Sequence, residues 1–136
     1  MNYEAMQIEI TEESAPYWAG LKKHELLIQQ CANCGKCRHY PRPICDACYS
    51  FDYNWQKSTG NGKVQSWTVV HHPFNPVFKD FTPYLGITVD LEENVRLLAP
   101  VFTEIESLLP LKVGTALTID YFEISNSLTL PTLKPF

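Results

Sequence analysis

The sequence predicts a mainly β protein in which an N-terminal helix and a four-cysteine zinc ribbon precede a small β-barrel. Cysteines recur in two close pairs in the first half of the chain, and the remainder consists of short β-rich runs separated by turn formers. The 136 residues, 45% of them hydrophobic, suffice for one compact domain plus a small metal-stabilised appendage. We expect three segments, 1–24, 25–58 and 59–136.

The first expected element is a short helix over residues 14–23, which packs rather than catalyses. Ser14 is a suitable N-cap, Pro16 suits the first turn, and Tyr17 and Leu21 share one face with the intervening Trp18. Residues 26–30 are then predicted to form a strand that leads into the first cysteine pair.

Four cysteines, Cys31, Cys34, Cys45 and Cys48, follow the pattern C-x2-C-x10-C-x2-C. Two residues between cysteines let both sulfurs point into one tight turn, and two such turns supply the four ligands that Zn²⁺ prefers. Gly35 follows the first pair, where such a turn needs a residue that tolerates positive φ. This spacing predicts a structural zinc site.

The fifth cysteine, Cys37, could replace a ligand, because Cys34 and Cys37 also form a C-x2-C pair. That alternative places Arg38 where glycine is favoured and shortens the loop between pairs to seven residues. We therefore interpret Cys37 as a spare thiol. Disulfides are disfavoured because the cysteine count is odd and the first 13 residues do not resemble a secretion signal. A cytoplasmic location is expected.

Between the pairs, residues 39–44 are predicted to be extended, since Pro41 and Pro43 each remove a backbone donor and restrict the preceding residue. The turn formers of 58–62 mark the start of the barrel. Strands are expected over 63–71, 83–91, 95–102 and 115–124, with a turn at 92–94. A last short run, 128–130, is expected to pair before Pro131 and Pro135 stop regular structure.

Two barrel segments suggest covered surfaces. The run 95–102 is apolar on both faces except at Arg96, so its outer face is covered either by residues 105–113, the favoured alternative, or by a partner chain. The loop 72–82 carries Phe74, Phe78 and Phe81, and such a loop is either a packed lid or a contact surface.

The net charge of −4 disfavours nucleic acid as a partner, since such binding draws on a surplus of basic residues. Four thiolates around Zn²⁺ add a further local negative charge. Lys36, Arg38 and Arg42 lie between the cysteine pairs, and we interpret them as offsetting it.

No catalytic residue is predicted. Familiar nucleophile, phosphate-loop and metalloprotease motifs are absent from the sequence. His71-His72 is more typical of a surface feature than of an acid–base pair, and Glu92-Glu93 of a solvated turn. A reactive thiolate at Cys37, with a pKa lowered by Lys36 and Arg38, is the remaining alternative.

The order of these features resembles an acyl-CoA-associated family that joins a rubredoxin-like zinc ribbon to an OB-fold barrel, formerly a domain of unknown function. The resemblance covers nearly the whole chain. It rests on Tyr17-Trp18, Cys31-Ala32-Asn33-Cys34-Gly35, Pro41-Arg42-Pro43, Cys45-Asp46-Ala47-Cys48, Ser58-Thr59-Gly60, Gly62-Lys63-Val64, Pro83-Tyr84 and Lys112-Val113-Gly114. The chain departs from the family where Tyr49 follows the second pair, where Cys37 is added, and where Asn94 replaces a turn glycine.

The resemblance implies a non-catalytic accessory subunit of a thiolase-like condensing enzyme or aldolase that acts on acyl-CoA thioesters. The zinc would stabilise the fold, and the subunit would help to close the partner's active site. The segment from Phe74 to Phe81 is the expected contact. Arg42 or Lys63 could meet a phosphate of coenzyme A.

Two other function classes stay open from the sequence. A zinc ribbon beside an OB-fold can bind single-stranded nucleic acid, with Trp67, Tyr84 and Phe122 as stacking platforms. Iron bound by the four thiolates would instead make a rubredoxin-like electron carrier.

Overall fold

The computed structural model describes residues 7–136, and the first residues of the sequence lie outside this range. Its one α-helix in this range, α1, spans Ala15–Lys22. The strands are β1 (Leu27–Cys31), β2 (Cys37–Arg38), β3 (Tyr53–Lys57), β4 (Asn61–Val70), β5 (Tyr84–Leu91), β6 (Arg96–Val101), β7 (Ala116–Glu123) and β8 (Thr129–Pro135). Short 3-10 helices cover Pro76–Phe81 and Ile105–Ser107. This order confirms the mainly β class.

Helix α1 packs as the sequence predicts, with Tyr17 and Leu21 buried. The predicted N-cap position of Ser14 is confirmed, but its side chain does not cap the helix. Ser14 lies at the N-cap position, but its hydroxyl accepts from the backbone N–H of Thr11 at 2.9 Å and caps no helix amide. The cause is local, because the preceding turn competes for the same hydroxyl oxygen.

The ribbon is a three-stranded antiparallel sheet in the order β2-β1-β3. Of these three strands, the sequence pattern predicted only β1. Strands β2 and β3 were not predicted. Neither has a periodic pattern of hydrophobic residues, because β2 has two residues and β3 is short, polar and largely exposed.

The sheet of the predicted barrel has the order β6-β5-β4-β7-β8, with every pair antiparallel. Within residues 7–136 its edge strands β6 and β8 do not form a ladder with each other, so the barrel is not closed. The Thr132 hydroxyl donates to the Pro100 carbonyl at 2.7 Å and links β8 to β6. The predicted end of the last strand is wrong, since β8 continues through Pro131 to Pro135. Proline is tolerated there because β8 is an edge strand and needs ladder bonds on one side only.

The turn between β5 and β6 joins the barrel to the ribbon. Asn94 has a φ of 63°, which confirms its left-handed role. The predicted turn is present and Glu92 is exposed, but both carboxylates also make hydrogen bonds that the sequence did not predict. Glu93 accepts from the Ser58 hydroxyl at 2.7 Å, and Glu92 accepts from the Thr59 hydroxyl at 2.7 Å. The acidic pair therefore fixes the linker that enters β4.

Residues 105–113 do not cover the outer face of β6, contrary to the favoured prediction. Leu98 on that face is 66% exposed. Leu108 and Leu111 are instead buried in the core of the barrel sheet. Their burial removes apolar surface from water at that end of the sheet.

One core serves the helix, the ribbon and the barrel. Tyr17 and Leu21 of α1 and Ile28 of β1 belong to the same buried cluster as Ile87 and Leu97 of the barrel. A second cluster surrounds Phe102 at one end of the barrel. Among residues 7–136, no helix combines the length and apolarity required to span a bilayer.

Candidate metal centre and contact surfaces

The two cysteine turns have the same backbone geometry. Gly35 donates its N–H to the Cys31 carbonyl at 3.0 Å, and Tyr49 donates to the Cys45 carbonyl at 2.9 Å. Both residues have positive φ, 79° for Gly35 and 64° for Tyr49. The tyrosine therefore adopts the conformation for which the first turn uses glycine, while 72% of it is exposed.

These turns bring together the four predicted cysteines, whose sulfurs all lie within 4.8 Å of one another. Cys31 and Cys48 Sγ are 3.5 Å apart, and Cys34 and Cys45 Sγ are 3.7 Å apart. A tetrahedral zinc with Zn–S bonds near 2.3 Å requires sulfurs about 3.8 Å apart. The donor set and its spacing thus fit Zn²⁺.

Backbone amides stabilise negative charge on the sulfurs. The Cys34 N–H donates to Cys31 Sγ at 3.4 Å, and this hydrogen bond is the main cause that lowers the Cys31 pKa to about 6. The amides of Cys48 and Ala47 lower the pKa of Cys45 in the same way. At Cys34 the Lys36 amide acts in the same direction, but burial and the neighbouring sulfurs outweigh it and raise the pKa to about 11. The amides therefore favour the metal-binding thiolate form at Cys31 and Cys45.

Cys37 lies outside the sulfur cluster. It is part of β2, and its Sγ contacts Gln56 Oε1 at 3.6 Å. Burial raises the pKa of Cys37, which argues against the alternative of an activated thiolate and agrees with its interpretation as a spare thiol. Lys36 does not lower the pKa of Cys37, because its ammonium group pairs with the Asp46 carboxylate of the other cysteine turn, with Nζ 3.0 Å from Oδ1.

Arg38 is a buried cation, only 3% exposed. Its Nε donates to Gln29 Oε1 at 2.7 Å and its Nη2 to the Arg42 carbonyl at 2.9 Å, while the guanidinium lies 5.7 Å from the centre of the Tyr53 ring. Nη1 has no partner, and no carboxylate within residues 7–136 forms an ion pair with Arg38.

The register of the ribbon places this guanidinium on the metal side. Arg38 pairs with Gln29, and Tyr53 pairs with Cys31, two residues further along β1. Side chains at Gln29 and Cys31 share a face because strands alternate with a period of two. The buried cation and Cys31 therefore lie on the same face of the ribbon, a relation that no sequence motif predicts.

The two candidate phosphate contacts lie in different settings. Arg42 is exposed in the ribbon and uses its backbone, not its side chain, to bond Gln29. Lys63 lines a groove of about 370 Å³ that it shares with Asp90, Glu92 and the exposed Phe136. The structure does not gather them into one basic cluster, and the phosphate role stays a prediction.

The loop before β5 divides its aromatic residues between two environments. Phe78 and Phe81 pack on Phe102 with ring centres 5.7 and 4.5 Å away, whereas Phe74 is 97% exposed. The loop is thus an anchored lid over one end of the barrel with a single aromatic side chain directed into solvent.

Two of the three suggested base-stacking platforms are already occupied by packing. Tyr84 and Phe122 belong to the aromatic cluster around Phe102, 5.1 Å from it in both cases. Trp67 is the third, and 38% of it is exposed. His71 and His72 are exposed, and neither ring makes a hydrogen bond within residues 7–136, so they do not form an acid–base pair with each other or with a carboxylate.

Four clustered cysteines on a ribbon that shares its core with a small antiparallel barrel define a zinc-ribbon and OB-fold protein. The family models match this division. The rubredoxin-like zinc ribbon domain of ChsH2 matches residues 18–54, and the C-terminal OB-fold domain of ChsH2 matches residues 55–121. The chain belongs to this ChsH2 family, also called DUF35.

Similar proteins include parts of enzymes and a scaffold. A solved structure described as "Ltp2-ChsH2(DUF35) aldolase" aligns with 95% of this chain and 98% of that chain, at a TM-score of 0.82 and 34% identity. A "probable enoyl-CoA hydratase alpha subunit" of Thermomonospora curvata is 35% identical over 93% of this chain. A "DUF35 domain-containing scaffold protein" of Pyrococcus furiosus is 35% identical over 66% of this chain and 65% of its own length. The chain spans 38% of the Thermomonospora protein.

Proposed function

We propose that this chain is a non-catalytic subunit that docks onto a thiolase-like enzyme or aldolase acting on acyl-CoA thioesters. The observation that carries the proposal is the end-to-end similarity to the chain in a structure named as an Ltp2-ChsH2 aldolase. The scaffold name of the Pyrococcus relative supports it. We also propose a cytoplasmic location, because paired cysteines stay reduced there and can bind metal.

The subunit would act by closing its partner's active site. A long, flexible thioester arm must reach the reacting centre while bulk water is excluded, and a rigid neighbouring surface positions the arm and strengthens local electrostatics. The anchored lid with its exposed Phe74 is suited to that contact, since an exposed aromatic on a rigid support favours protein association. Arg42 and Lys63 remain candidates for a coenzyme A phosphate.

Within the subunit we propose that one Zn²⁺ is bound by Cys31, Cys34, Cys45 and Cys48. The fitting sulfur spacing and the amide bonds to sulfur support this ligand set. Metal analysis of the purified protein should give one zinc per chain and no visible colour. A red protein with iron would instead establish the rubredoxin-like alternative.

The docking proposal is tested with tagged protein recovered from its own cells and weighed intact in a native mass spectrometer. We expect a hetero-oligomer with a thiolase-like or aldolase subunit, and carbon–carbon cleavage or condensation of an acyl-CoA only when both chains are present. Activity of this chain alone, or a partner with no acyl-CoA chemistry, would refute the proposal.

A matched pair of variants tests the contact loop. Phe74→Ala should weaken the association, whereas Phe51→Ala, which alters another exposed phenylalanine in the ribbon, should leave it unchanged. Equal effects of the two variants would exclude the loop as the specific contact.

A further inference from the structure

Half of β4 has an open backbone edge. The strand pairs with β5 along most of its length, but its other side pairs with β7 only over Asn61–Lys63, and Val64 then bonds to Gly114 and Thr115. From Ser66 to Val69 every residue is exposed. Within residues 7–136 no third strand covers this half.

The hydrogen-bond alternation identifies which residues face the open side. The Leu91 N–H donates to the Val95 carbonyl, and the direction of the backbone groups alternates along a strand. The N–H and C=O groups of Leu91, Val89, Ile87 and Leu85 in β5 therefore face β6. The intervening residues of β5 bond to β4 and lie opposite Ser66, Thr68 and Val70. The backbone N–H and C=O groups of Trp67 and Val69 therefore point away from β5, toward the open edge.

This edge lacks the devices that normally prevent strand pairing. Its residues, Ser66-Trp67-Thr68-Val69-Val70, include no charge and no proline, and most of them favour β structure. The bulge of the strand lies before Ser66, so it does not interrupt this stretch. An unprotected edge of this kind is a template for another strand.

We propose that two copies of this chain pair through this edge, β4 against β4 in antiparallel orientation, about a twofold axis at Thr68. In that register Trp67 lies opposite Val69 of the second copy, and the outward backbone groups of both residues are satisfied. Each Trp67 side chain contacts a β-branched Val69, a favourable cross-strand pair. The second copy is the occupant because the stretch is self-complementary and places no like charges opposite each other, although each chain carries a net charge of −4.

The oligomeric state of the zinc-loaded full chain, measured by sedimentation over a concentration series, tests the pairing. We expect a monomer–dimer equilibrium. Thr68→Glu puts a carboxylate opposite its own copy and should weaken the dimer by about tenfold or more. Thr103→Glu, which adds the same charge at another exposed position, should leave it unchanged.

A cross-link provides a readout that does not depend on a destabilising variant. Thr68→Cys should form an interchain disulfide under mild oxidation because the two positions are directly opposite, whereas Ser66→Cys should not, since its symmetric neighbour is Val70. A monomer at all concentrations without the Thr68→Cys cross-link would overturn the proposal, and so would a dimer insensitive to Thr68→Glu. A monomer that loses its enzyme partner in Thr68→Glu would assign the edge to that partner instead.

Discussion

Arg38 is a buried charge whose described partners are all uncharged. Moving an unpaired charge out of water costs several kcal/mol, and the described partners of this guanidinium are neutral oxygens and an aromatic ring. The tetrathiolate, with a charge of about −2 when zinc is bound, includes Cys31 on the same ribbon face and is the anion that we expect to offset this cost. Of the three basic residues expected to compensate the cluster, Lys36 pairs with Asp46 and Arg42 is exposed.

We expect Arg38→Gln to weaken zinc binding by about tenfold or more, since one unit charge near a partly desolvated anion contributes more than about 1.4 kcal/mol. Competition with a chromophoric chelator measures this affinity. Arg38→Lys should restore part of it, and Lys36→Gln should change it less, because the Lys36–Asp46 pair is exposed. Unchanged affinity in a folded Arg38→Gln protein would contradict this role.

A second residue-scale prediction concerns acid stability. Burial lowers the pKa of His39 to about 4, and its ring centre lies 5.1 Å from that of Tyr17. In the unfolded chain the pKa is about 6.5, so between these values the unfolded state binds more protons and the folded state loses stability as pH falls. Above the unfolded pKa the full contribution is present.

Between pH 7 and pH 5 we expect His39 to reduce the free energy of unfolding by about 2 kcal/mol. The measurement is urea unfolding of the zinc-loaded protein at both pH values, compared with His39→Phe. Acid release of zinc lowers the stability of both proteins. The difference between their falls in the free energy of unfolding therefore gives the contribution of His39 alone. Equal losses in the two proteins would show that His39 does not titrate in this way.

At the scale of elements, the two cysteine turns form a natural comparison. Both require positive φ after the second cysteine, and Tyr49 adopts it at a cost of about 1–2 kcal/mol that Gly35 avoids. The ribbon is also held by the linker, where Glu93 accepts from both the Ser58 hydroxyl and the Thr59 amide. Backbone geometry therefore fixes the turns, and side-chain hydrogen bonds fix how the ribbon meets the barrel.

We expect Tyr49→Gly to raise the free energy of unfolding of the zinc-loaded protein by up to about 1 kcal/mol, because relief of strain outweighs the loss of an exposed side chain. Tyr49→Ala is the control that removes the ring and keeps the strain. Urea unfolding should rank Tyr49→Gly above Tyr49→Ala, and the reverse order would show that the turn is not strained.

At the scale of the whole molecule, the shared core couples the metal to the barrel. Leu26 and Ile28 leave their buried positions if the ribbon unravels, and they belong to the cluster that also contains Ile87 and Leu97. Each such side chain contributes about 1.5–3 kcal/mol when fully buried. Loss of the metal should therefore destabilise the whole chain rather than the ribbon alone.

Calorimetry should show one unfolding transition for the zinc-loaded protein, lowered by more than about 10 °C after chelation or in Cys45→Ser. Cys37→Ser should retain zinc and a transition within a few degrees of the original. A barrel transition at its original temperature after zinc removal would mean that the two units fold independently.

The sequence predicted the features that depend on local patterns. Cysteine spacing selected the sulfur cluster, glycine and asparagine marked positive φ at Gly35 and Asn94, and the period of two revealed the barrel strands. It missed β2 and β3, which are too short or too polar to have a period, and it ended β8 too early because edge position, not proline content, decides what a strand tolerates.

By itself, the sequence determined the class of fold, the family resemblance and the four clustered cysteines, because turns and strands arise from neighbours along the chain. Only the tertiary structure decided which charged side chain is buried and which strand edge is left unpaired. It buried Arg38 on the ribbon face that carries Cys31, bonded Glu92 and Glu93 to the linker, and left Leu98 and half of β4 exposed. These properties depend on which distant segments meet, and local patterns along the sequence do not show that.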